Sequence, residues 1–261
     1  MIRMTLKIDS LILHETVEVK VALPCSILNI GKKFKTVWAL HCAMSSGDIF
    51  FERLSMLDYV ESLKLIVVAP SLPNTFFVNS NAGKYGDFLD LELYPMLKNM
   101  LPISENRDDN LLLGVSMGAY GALSWMLRRS DFFSTVVAIS GYYDHTLPYD
   151  DRLKTQRVTF ALSKIIHPYM EKIFLSEDSQ SPNKIEEGIS SFTFKEKTNK
   201  ENTNFLFYTG SCDYLTKEQT KHIYDLAMKH GLKALFKEVD GEHDVKAWSL
   251  AIKDAMDKIF N

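Results

Sequence analysis

Hydrophobic and polar residues follow two periods along this 261-residue chain. A period of two between residues 4 and 23 predicts two antiparallel strands at a sheet edge, and Pro24 ends that pattern. Short apolar runs predict further strands at residues 36–40, 65–69, 111–113, 133–140, 204–209 and 234–239. Apolar residues at helical spacing predict helices over residues 50–62, 88–100, 119–127, 216–231 and 245–260. Such alternation of strands and helices predicts an α/β fold, with a mostly parallel sheet covered by helices on both faces.

Local residue chemistry refines these boundaries. Pro70 is expected to stop the strand at residues 65–69, and Pro95 to kink the helix at residues 88–100. Thr216 and Gln219 have the spacing of a capping box, in which the two side chains satisfy backbone N–H groups at the start of a helix. Gly231 is typical of the position just past a helix end.

One stretch interrupts the alternation. Between Gly141 and Asn202 the polar and charged residues increase, and no strand is evident. A segment of that length is unusual as a pure loop in a compact domain. We therefore predict a single domain over residues 1–261, with a small lid or insertion at about residues 142–202, rather than two domains.

Composition narrows the class of protein. With 46% hydrophobic and 24% charged residues the chain can bury a substantial core. A net charge of -3 and the lack of a basic stripe argue against nucleic acid and anionic membranes as partners. The three cysteines, Cys25, Cys42 and Cys212, suggest reduced thiols rather than a disulfide framework or a zinc site. The N-terminus does not resemble a signal peptide and no run is long enough to span a bilayer, so a cytoplasmic location is expected. Oligomeric state stays open.

The chemistry of the chain centres on Gly114-Val115-Ser116-Met117-Gly118, which lies between a predicted strand and a predicted helix. A G-x-S-x-G turn in that place exposes its serine hydroxyl above the sheet in a strained backbone conformation. The following helix then directs its positive end at a site where negative charge develops. The competing interpretation is a Gly/Ser turn without chemistry.

A serine nucleophile needs a base, and the base needs an orienting acid, in the chain order Ser, acid, His. Asp213 follows the strand at residues 204–209, and His243 follows the strand at residues 234–239. We predict that Ser116, Asp213 and His243 form a catalytic triad. A turn aspartate and a surface histidine are the alternatives for the last two, and Asp240 and Asp244 are competing acids.

Two backbone N–H groups must stabilise the tetrahedral oxyanion. Met117, after the nucleophile, is expected to supply one. The loop at residues 41–48 is expected to supply the other, from Ala43 as first choice or Cys42 as second. His41 has no partner at metal-ligand spacing, so we interpret it as a structural, hydrogen-bonded histidine.

Four segments carry a family resemblance: Leu40-His41-Cys42-Ala43-Met44-Ser45, Leu65-Ile66-Val67-Val68-Ala69-Pro70, the Ser116 turn continued by Ala119-Tyr120-Gly121-Ala122, and Gly241-Glu242-His243 with Trp248. Together they resemble the esterase D / tributyrin esterase (EstA-like) group of α/β-hydrolases over nearly the whole chain, least between residues 142 and 202. The resemblance implies an α/β-hydrolase fold, a triad of Ser116, Asp213 and His243, no cofactor or metal, and a small-molecule ester substrate. The chain departs from the family pattern at Cys42, where glycine is usual, and at Ala119 and Val245.

These observations lead to one hypothesis with three alternatives. The hypothesis is a serine carboxylesterase that hydrolyses short acyl esters, from acetyl to butyryl, through an acyl-enzyme. One alternative is a thioesterase like S-formylglutathione hydrolase, and a second is transfer of the acyl group to an acceptor other than water. The third is a non-catalytic binding protein that retains the fold.

Overall fold

A central sheet organises the computed structural model, which describes residues 1–28, 31–143, 151–174, 185, 189 and 203–260. Within these residues eight strands form the sheet: β1 (Ile2–Asp9), β2 (Thr16–Leu23), β3 (Lys35–Leu40), β4 (Leu65–Ser71), β5 (Asn110–Val115), β6 (Thr135–Ile139), β7 (Asn204–Gly210) and β8 (Ala234–Val239). Their order in space is β1-β2-β4-β3-β5-β6-β7-β8. β1 pairs antiparallel with β2, and β2 pairs antiparallel with β4, whereas every pairing from β4 to β8 is parallel.

Helices connect the parallel strands. The described ones are α1 (Ile49–Glu52), α2 (Leu57–Ser62), α3 (Tyr85–Asp87), a π-helical segment (Phe88–Leu93), α4 (Tyr94–Met100), α5 (Met117–Arg128), α6 (Arg157–Phe174), α7 (Lys217–Lys229) and α8 (Val245–Phe260). Short 3₁₀ turns lie at Cys25–Leu28, Arg107–Asp109 and Asp151–Thr155, and a small hairpin pairs Asn79–Ser80 with Gly83–Lys84. None of these helices is long and apolar enough to cross a membrane.

The core lies on both faces of the sheet, because successive side chains of a strand point to opposite sides. In β4, Ile66 and Val68 pack in one apolar cluster with α5 and α7. Val67 and Ala69 pack in a second cluster with α1, α2 and α8. All four side chains are fully buried. This is the mostly parallel sheet, covered on both faces, that the sequence predicts.

The helix predicted over residues 50–62 is wrong in one respect, since two short helices replace it. Ser55, between α1 and α2, has a left-handed backbone conformation with φ of 53°. The turn at Ser55 lets both Leu54 and Met56 enter the core, where they are 1% and 0% exposed. Burial of two residues that a continuous helix would point in different directions outweighs helix continuity.

The strand end predicted at Pro70 is wrong, and the helix predicted over residues 88–100 has a different start, while the kink expected at Pro95 stays a prediction. β4 continues through Pro70 to Ser71, because its antiparallel pairing with β2 extends to Ser71. Its pairing with β3 ends at Val68, so the missing N–H of Pro70 removes no hydrogen bond on that side. The run predicted at residues 88–100 starts three residues earlier, at Tyr85, and takes π-helical form immediately before Pro95. Proline lacks the N–H of a regular helical turn, and the wider turn accommodates that loss.

Most of the insertion predicted at about residues 142–202 lies outside the described residues. The described part of that stretch contains the turn Asp151–Thr155 and α6.

Candidate active site

Ser116 occupies a sharp turn between β5 and α5. Its backbone has φ of 55° and ψ of -114°, a strained conformation for a residue with a side chain. The turn is held on both sides: the Ser116 N–H donates to the carbonyl of Ile139 at 2.8 Å, and the Ser116 carbonyl accepts from the Ala119 N–H at 3.0 Å. The predicted strand–turn–helix order is therefore present, with Ser116 immediately before the first turn of α5.

The glycines of this turn are required by close backbone approach. A Cβ added at Gly114 would collide with the carbonyl of Gly118, and one added at Gly118 would collide with the carbonyl of Leu40. The second contact brings the start of α5 against the end of β3. As a result, the loop that follows β3 lies beside Ser116.

A chain of hydrogen bonds links the three residues predicted as a triad. His243 Nε2 lies 3.0 Å from Ser116 Oγ, and His243 Nδ1 lies 2.9 Å from Asp213 Oδ2. The loops that carry Asp213 and His243 are bonded to each other, since the Cys212 N–H donates to the Gly241 carbonyl at 2.9 Å. The structure thus brings together side chains that are 127 and 30 residues apart in sequence.

Asp213 is fully buried and receives several donors. Its carboxylate accepts from the Thr216 hydroxyl at 2.7 Å, and from the backbone N–H groups of Leu215 and Thr216 at 3.2 and 3.0 Å. Burial by itself would raise the pKa of Asp213, but the charge and hydrogen bond of His243, together with the Thr216 hydroxyl, outweigh burial and lower that pKa. An ionised Asp213 is the form that orients and stabilises a histidine base.

The capping box predicted at Thr216 and Gln219 is not formed. The Thr216 side chain makes no cap hydrogen bond, because its hydroxyl is committed to Asp213. The Gln219 side-chain oxygen instead accepts from the N–H of Tyr143, after β6. Sequence reasoning missed this role of Thr216, although a threonine three residues after an aspartate is well placed to donate to it.

The two competing acids have other partners. Asp240 pairs with Lys246 on an exposed stretch, at 2.5 Å. Asp244 Oδ1 accepts from the N–H of Ala247 at 2.9 Å, at the start of α8. Asp213 is the carboxylate that contacts His243.

The loop after β3 is fixed by side-chain hydrogen bonds. His41 is fully buried, and its Nε2 accepts from the Leu72 N–H at 3.1 Å while Nδ1 lies 2.7 Å from the Cys42 carbonyl. Burial lowers the pKa of His41 to about 4, and the two backbone hydrogen bonds only partly oppose this. The Met44 N–H donates to Asn74 Oδ1 at 2.8 Å. His41 is therefore a neutral residue that positions the loop.

A cavity of about 360 Å³ opens beside Ser116 and His243. Ala43, Cys42 and Met117 all line it. Neither the Ala43 N–H nor the Met117 N–H donates to another described residue, so both are available to a ligand. The remaining wall comes from several elements: Thr159, Leu162, Ser163 and Ile166 of α6, Ile49 and Arg53 near α1, Met44 and Ser45, Phe76, Tyr142, Leu215, and Asp244, Val245 and Trp248 after β8.

Two aromatic residues support the site in different ways. Trp248 packs edge-on against His243, with ring centroids 5.2 Å apart, and limits how that imidazole can turn. Phe76 lines the cavity, whereas Phe77 packs against His41 with ring centroids 5.2 Å apart.

Among the described residues no group of histidine, cysteine and acidic side chains is arranged to hold a metal ion. Cys25, Cys42 and Cys212 are free thiols.

Comparison with known sequences gives a family match. Residues 10–259 match the Esterase family model, described as "Putative esterase". An acetyl esterase from Caldicellulosiruptor saccharolyticus is 21% identical over 87% of this chain and 84% of its own length.

Solved structures share the fold. Fluorophosphonate-binding serine hydrolase F (FphF) of Staphylococcus aureus superimposes with a TM-score of 0.80 at 24% identity, covering 100% of this chain and 98% of that protein. S-formylglutathione hydrolase (FrmB) of the same organism has a TM-score of 0.78 at 24% identity, covering 100% and 99%. The common architecture is that of the α/β-hydrolase fold.

Proposed function

Because the chain belongs to the esterase family and is a hydrolase of carboxylic ester bonds, we propose that it is a serine carboxylesterase acting on short acyl esters, from acetyl to butyryl. The observation that carries the proposal is the continuous hydrogen-bond chain from Ser116 through His243 to Asp213. A serine hydroxyl is a poor nucleophile without such a base.

In the proposed reaction His243 Nε2 takes the hydroxyl proton as Ser116 Oγ attacks the ester carbonyl. Asp213 holds the proton on Nδ1 and stabilises the imidazolium. His243 then gives its proton to the departing alcohol, leaving an acyl-enzyme on Ser116. Water, deprotonated by the same imidazole, attacks this acyl group. The bond to Ser116 Oγ then breaks, His243 returns the proton to Oγ, and the carboxylic acid leaves. Each step moves one proton, and the buried carboxylate stays ionised throughout.

The oxyanion is proposed to be bound by the N–H groups of Met117 and Ala43. Both residues line the cavity beside Ser116, and both N–H groups lack a partner among the described residues. The positive end of α5 lies at the same point and favours the negative charge of the tetrahedral intermediate. Buried donors of this kind are already oriented, so no reorganisation is needed during the reaction.

The size of the cavity supports a small substrate, since 360 Å³ is near the lower end of the usual range for ligand pockets. α6 supplies part of its wall, which supports the assignment of the stretch at about residues 142–202 as a lid within one domain spanning residues 1–261. We also propose a cytoplasmic location, which the three free thiols favour.

The test is a comparison of initial rates on p-nitrophenyl esters from acetate to octanoate. We expect turnover to be fastest on acetate to butyrate, and Ser116→Ala to lower kcat/KM by at least about a thousandfold, because the nucleophile is lost. Ser124→Ala is the matched control, since it makes the same change further along α5 and away from the cavity. Near-normal turnover by Ser116→Ala would disprove the mechanism.

A thioesterase like S-formylglutathione hydrolase is the second candidate, favoured by the structural likeness to FrmB over the whole chain. The same triad can attack a thioester carbonyl. A kcat/KM for S-formylglutathione well above that for the short p-nitrophenyl esters would select this alternative. Equal or lower efficiency would leave the carboxylesterase proposal in place.

A further inference from the structure

One arginine on the wall of the cavity has a side chain without a partner among the described residues. Arg53 follows α1, its side chain is exposed, and it lines the same cavity as Ser116. Its backbone N–H donates to the Ile49 carbonyl, but its guanidinium makes no hydrogen bond or ion pair with any residue that the structure describes. Other arginines are engaged: Arg128 pairs with Asp90 and Arg129 with Asp131, each at 3.1 Å.

Arg53 lies on the side of the cavity that carries the proposed oxyanion loop. It shares that wall with Cys42 and Ile49, which pack in the same apolar cluster as Trp248. The Arg53 N–H donates to the Ile49 carbonyl at 3.0 Å, which fixes the backbone of Arg53 beside this wall. Burial raises the pKa of the Cys42 thiol; hydrogen bonds from Ser45 and the backbone oppose burial, and the charge of Arg53 opposes it least. A cation beside apolar walls is less screened than one on an open surface.

Among the described residues that line the cavity, the acidic one is Asp244. Asp244 follows His243 in sequence and also lines the cavity, and one of its oxygens accepts from the Ala247 N–H at the start of α8. Arg53 and Asp244 do not form an ion pair. An anionic group on a substrate would be repelled from Asp244 and attracted to Arg53. The two charges therefore orient a substrate that carries a carboxylate.

We propose that the natural substrate is a small ester bearing a carboxylate, and that Arg53 binds this carboxylate while Ser116 attacks the ester carbonyl. The inference rests on the proposed esterase function and names its substrate class. A guanidinium presents two parallel N–H donors that match the two oxygens of a carboxylate, which makes arginine better suited to this role than a point charge. The Arg53 side chain is exposed and has no partner among the residues that the structure describes, so these donors can reach a substrate.

The experiment uses two substrate pairs that differ only in the anion. 4-Acetoxybenzoate and its methyl ester place the carboxylate on the alcohol side, whereas monomethyl and dimethyl succinate place it on the acyl side. Values of kcat/KM are measured for the wild type, Arg53→Gln and Arg53→Lys. We expect Arg53→Gln to reduce the anionic-to-neutral ratio about tenfold in one of the pairs, mainly through KM, because the contact is made equally in ground state and transition state.

Arg53→Lys is expected to retain part of the preference, since it keeps the charge but loses the two-donor geometry. Arg3→Gln, on β1 and outside the cavity, is the control for net charge and should leave both ratios unchanged. Added salt should weaken the wild-type preference, as expected for a partly exposed ion pair. p-Nitrophenyl acetate, which has no carboxylate, gives the reference rate for each variant, and Arg3→Gln should hydrolyse it like the wild type.

Unchanged ratios in both pairs, with normal turnover of p-nitrophenyl acetate, would overturn the role of Arg53 and leave the esterase function intact. An equal fall on anionic and neutral substrates would also overturn it, since that result indicates a general defect. Absence of Ser116-dependent turnover on every ester would instead refute the proposed function, and the inference with it.

Discussion

At the residue scale, two threonines near the start of α7, Thr216 and Thr220, differ in their hydrogen bonds. The Thr216 hydroxyl donates to Asp213 Oδ2 at 2.7 Å and lies 3.5 Å from His243 Nδ1. The Thr220 hydroxyl, one helical turn later, is fully buried and has no hydrogen-bond partner within the described part of the chain. Only the first of these hydroxyls can hold the proposed catalytic carboxylate in place.

Thr216→Val is therefore expected to lower kcat/KM on p-nitrophenyl acetate about tenfold, and to lower stability by about 1 kcal/mol, because Asp213 loses a buried donor. Thr220→Val makes the same change without removing a hydrogen bond, and should leave both quantities nearly unchanged. Steady-state kinetics and urea unfolding of the two variants measure the difference. Equal effects at the two positions would contradict the role assigned to Thr216.

At the element scale, close backbone contacts decide how β3, β5 and α5 meet. Gly118 at the start of α5 lies directly against the carbonyl of Leu40, at the end of β3. Gly86 in α3 faces only the side chain and N–H of Asn79, at 3.1 and 3.4 Å, and the Arg128 side chain at 3.4 Å. A side chain at residue 118 would have to displace the backbone of a central strand. A side chain at residue 86 would mainly meet side chains, which can move.

Gly118→Ala is accordingly expected to destabilise the fold by about 3 kcal/mol, as overpacking against a rigid neighbour does. It should also abolish esterase activity in the folded fraction, since the oxyanion loop begins at this contact. Gly86→Ala should cost at most about 1 kcal/mol, because the helical position itself favours alanine. Urea unfolding measures both. A smaller loss for Gly118→Ala than for Gly86→Ala would contradict the packing described.

At the scale of the whole molecule, two buried groups make stability depend on pH. The pKa of His41 falls from 6.5 to about 4 on folding, so the unfolded chain binds its proton first as pH falls. Stability is therefore lost between pH 6.5 and about 4. The pKa of Asp213 is also lowered, so its stabilisation is complete above its ordinary pKa and is lost as pH falls through the lowered one. Both effects lower the free energy of unfolding as pH falls.

We expect the free energy of unfolding to decrease by roughly 3 kcal/mol from His41 alone as pH falls from 6.5 to 4. His41→Gln retains an acceptor for the Leu72 N–H and should reduce this slope, although its stability at neutral pH is lower. His230→Gln, at an exposed position after α7, should keep the wild-type slope. Denaturant titrations at several pH values test this, and an unaltered slope in His41→Gln would refute it.

Patterns local in sequence determined the broad outline of this protein. Apolar periodicity predicts the strands and helices, and the Gly114–Gly118 turn with Asp213 and His243 after later strands predicts the chain order of a serine hydrolase. These features depend on backbone chemistry within a few residues. Chain order also brings Asp213 and His243 to adjacent strand ends, because β7 and β8 are parallel neighbours.

Tertiary structure determined the contacts between segments that are far apart in sequence. The break between α1 and α2 depends on the burial of Leu54 and Met56 in the core. The Thr216 hydroxyl donates to Asp213 because that carboxylate is buried beside it. His41 accepts a hydrogen bond from Leu72, which is distant in sequence. Arg53 likewise shares a cavity wall with residues of distant segments. Propensity acts along the chain, whereas burial and hydrogen bonding act across space, so these features could not be inferred without the fold.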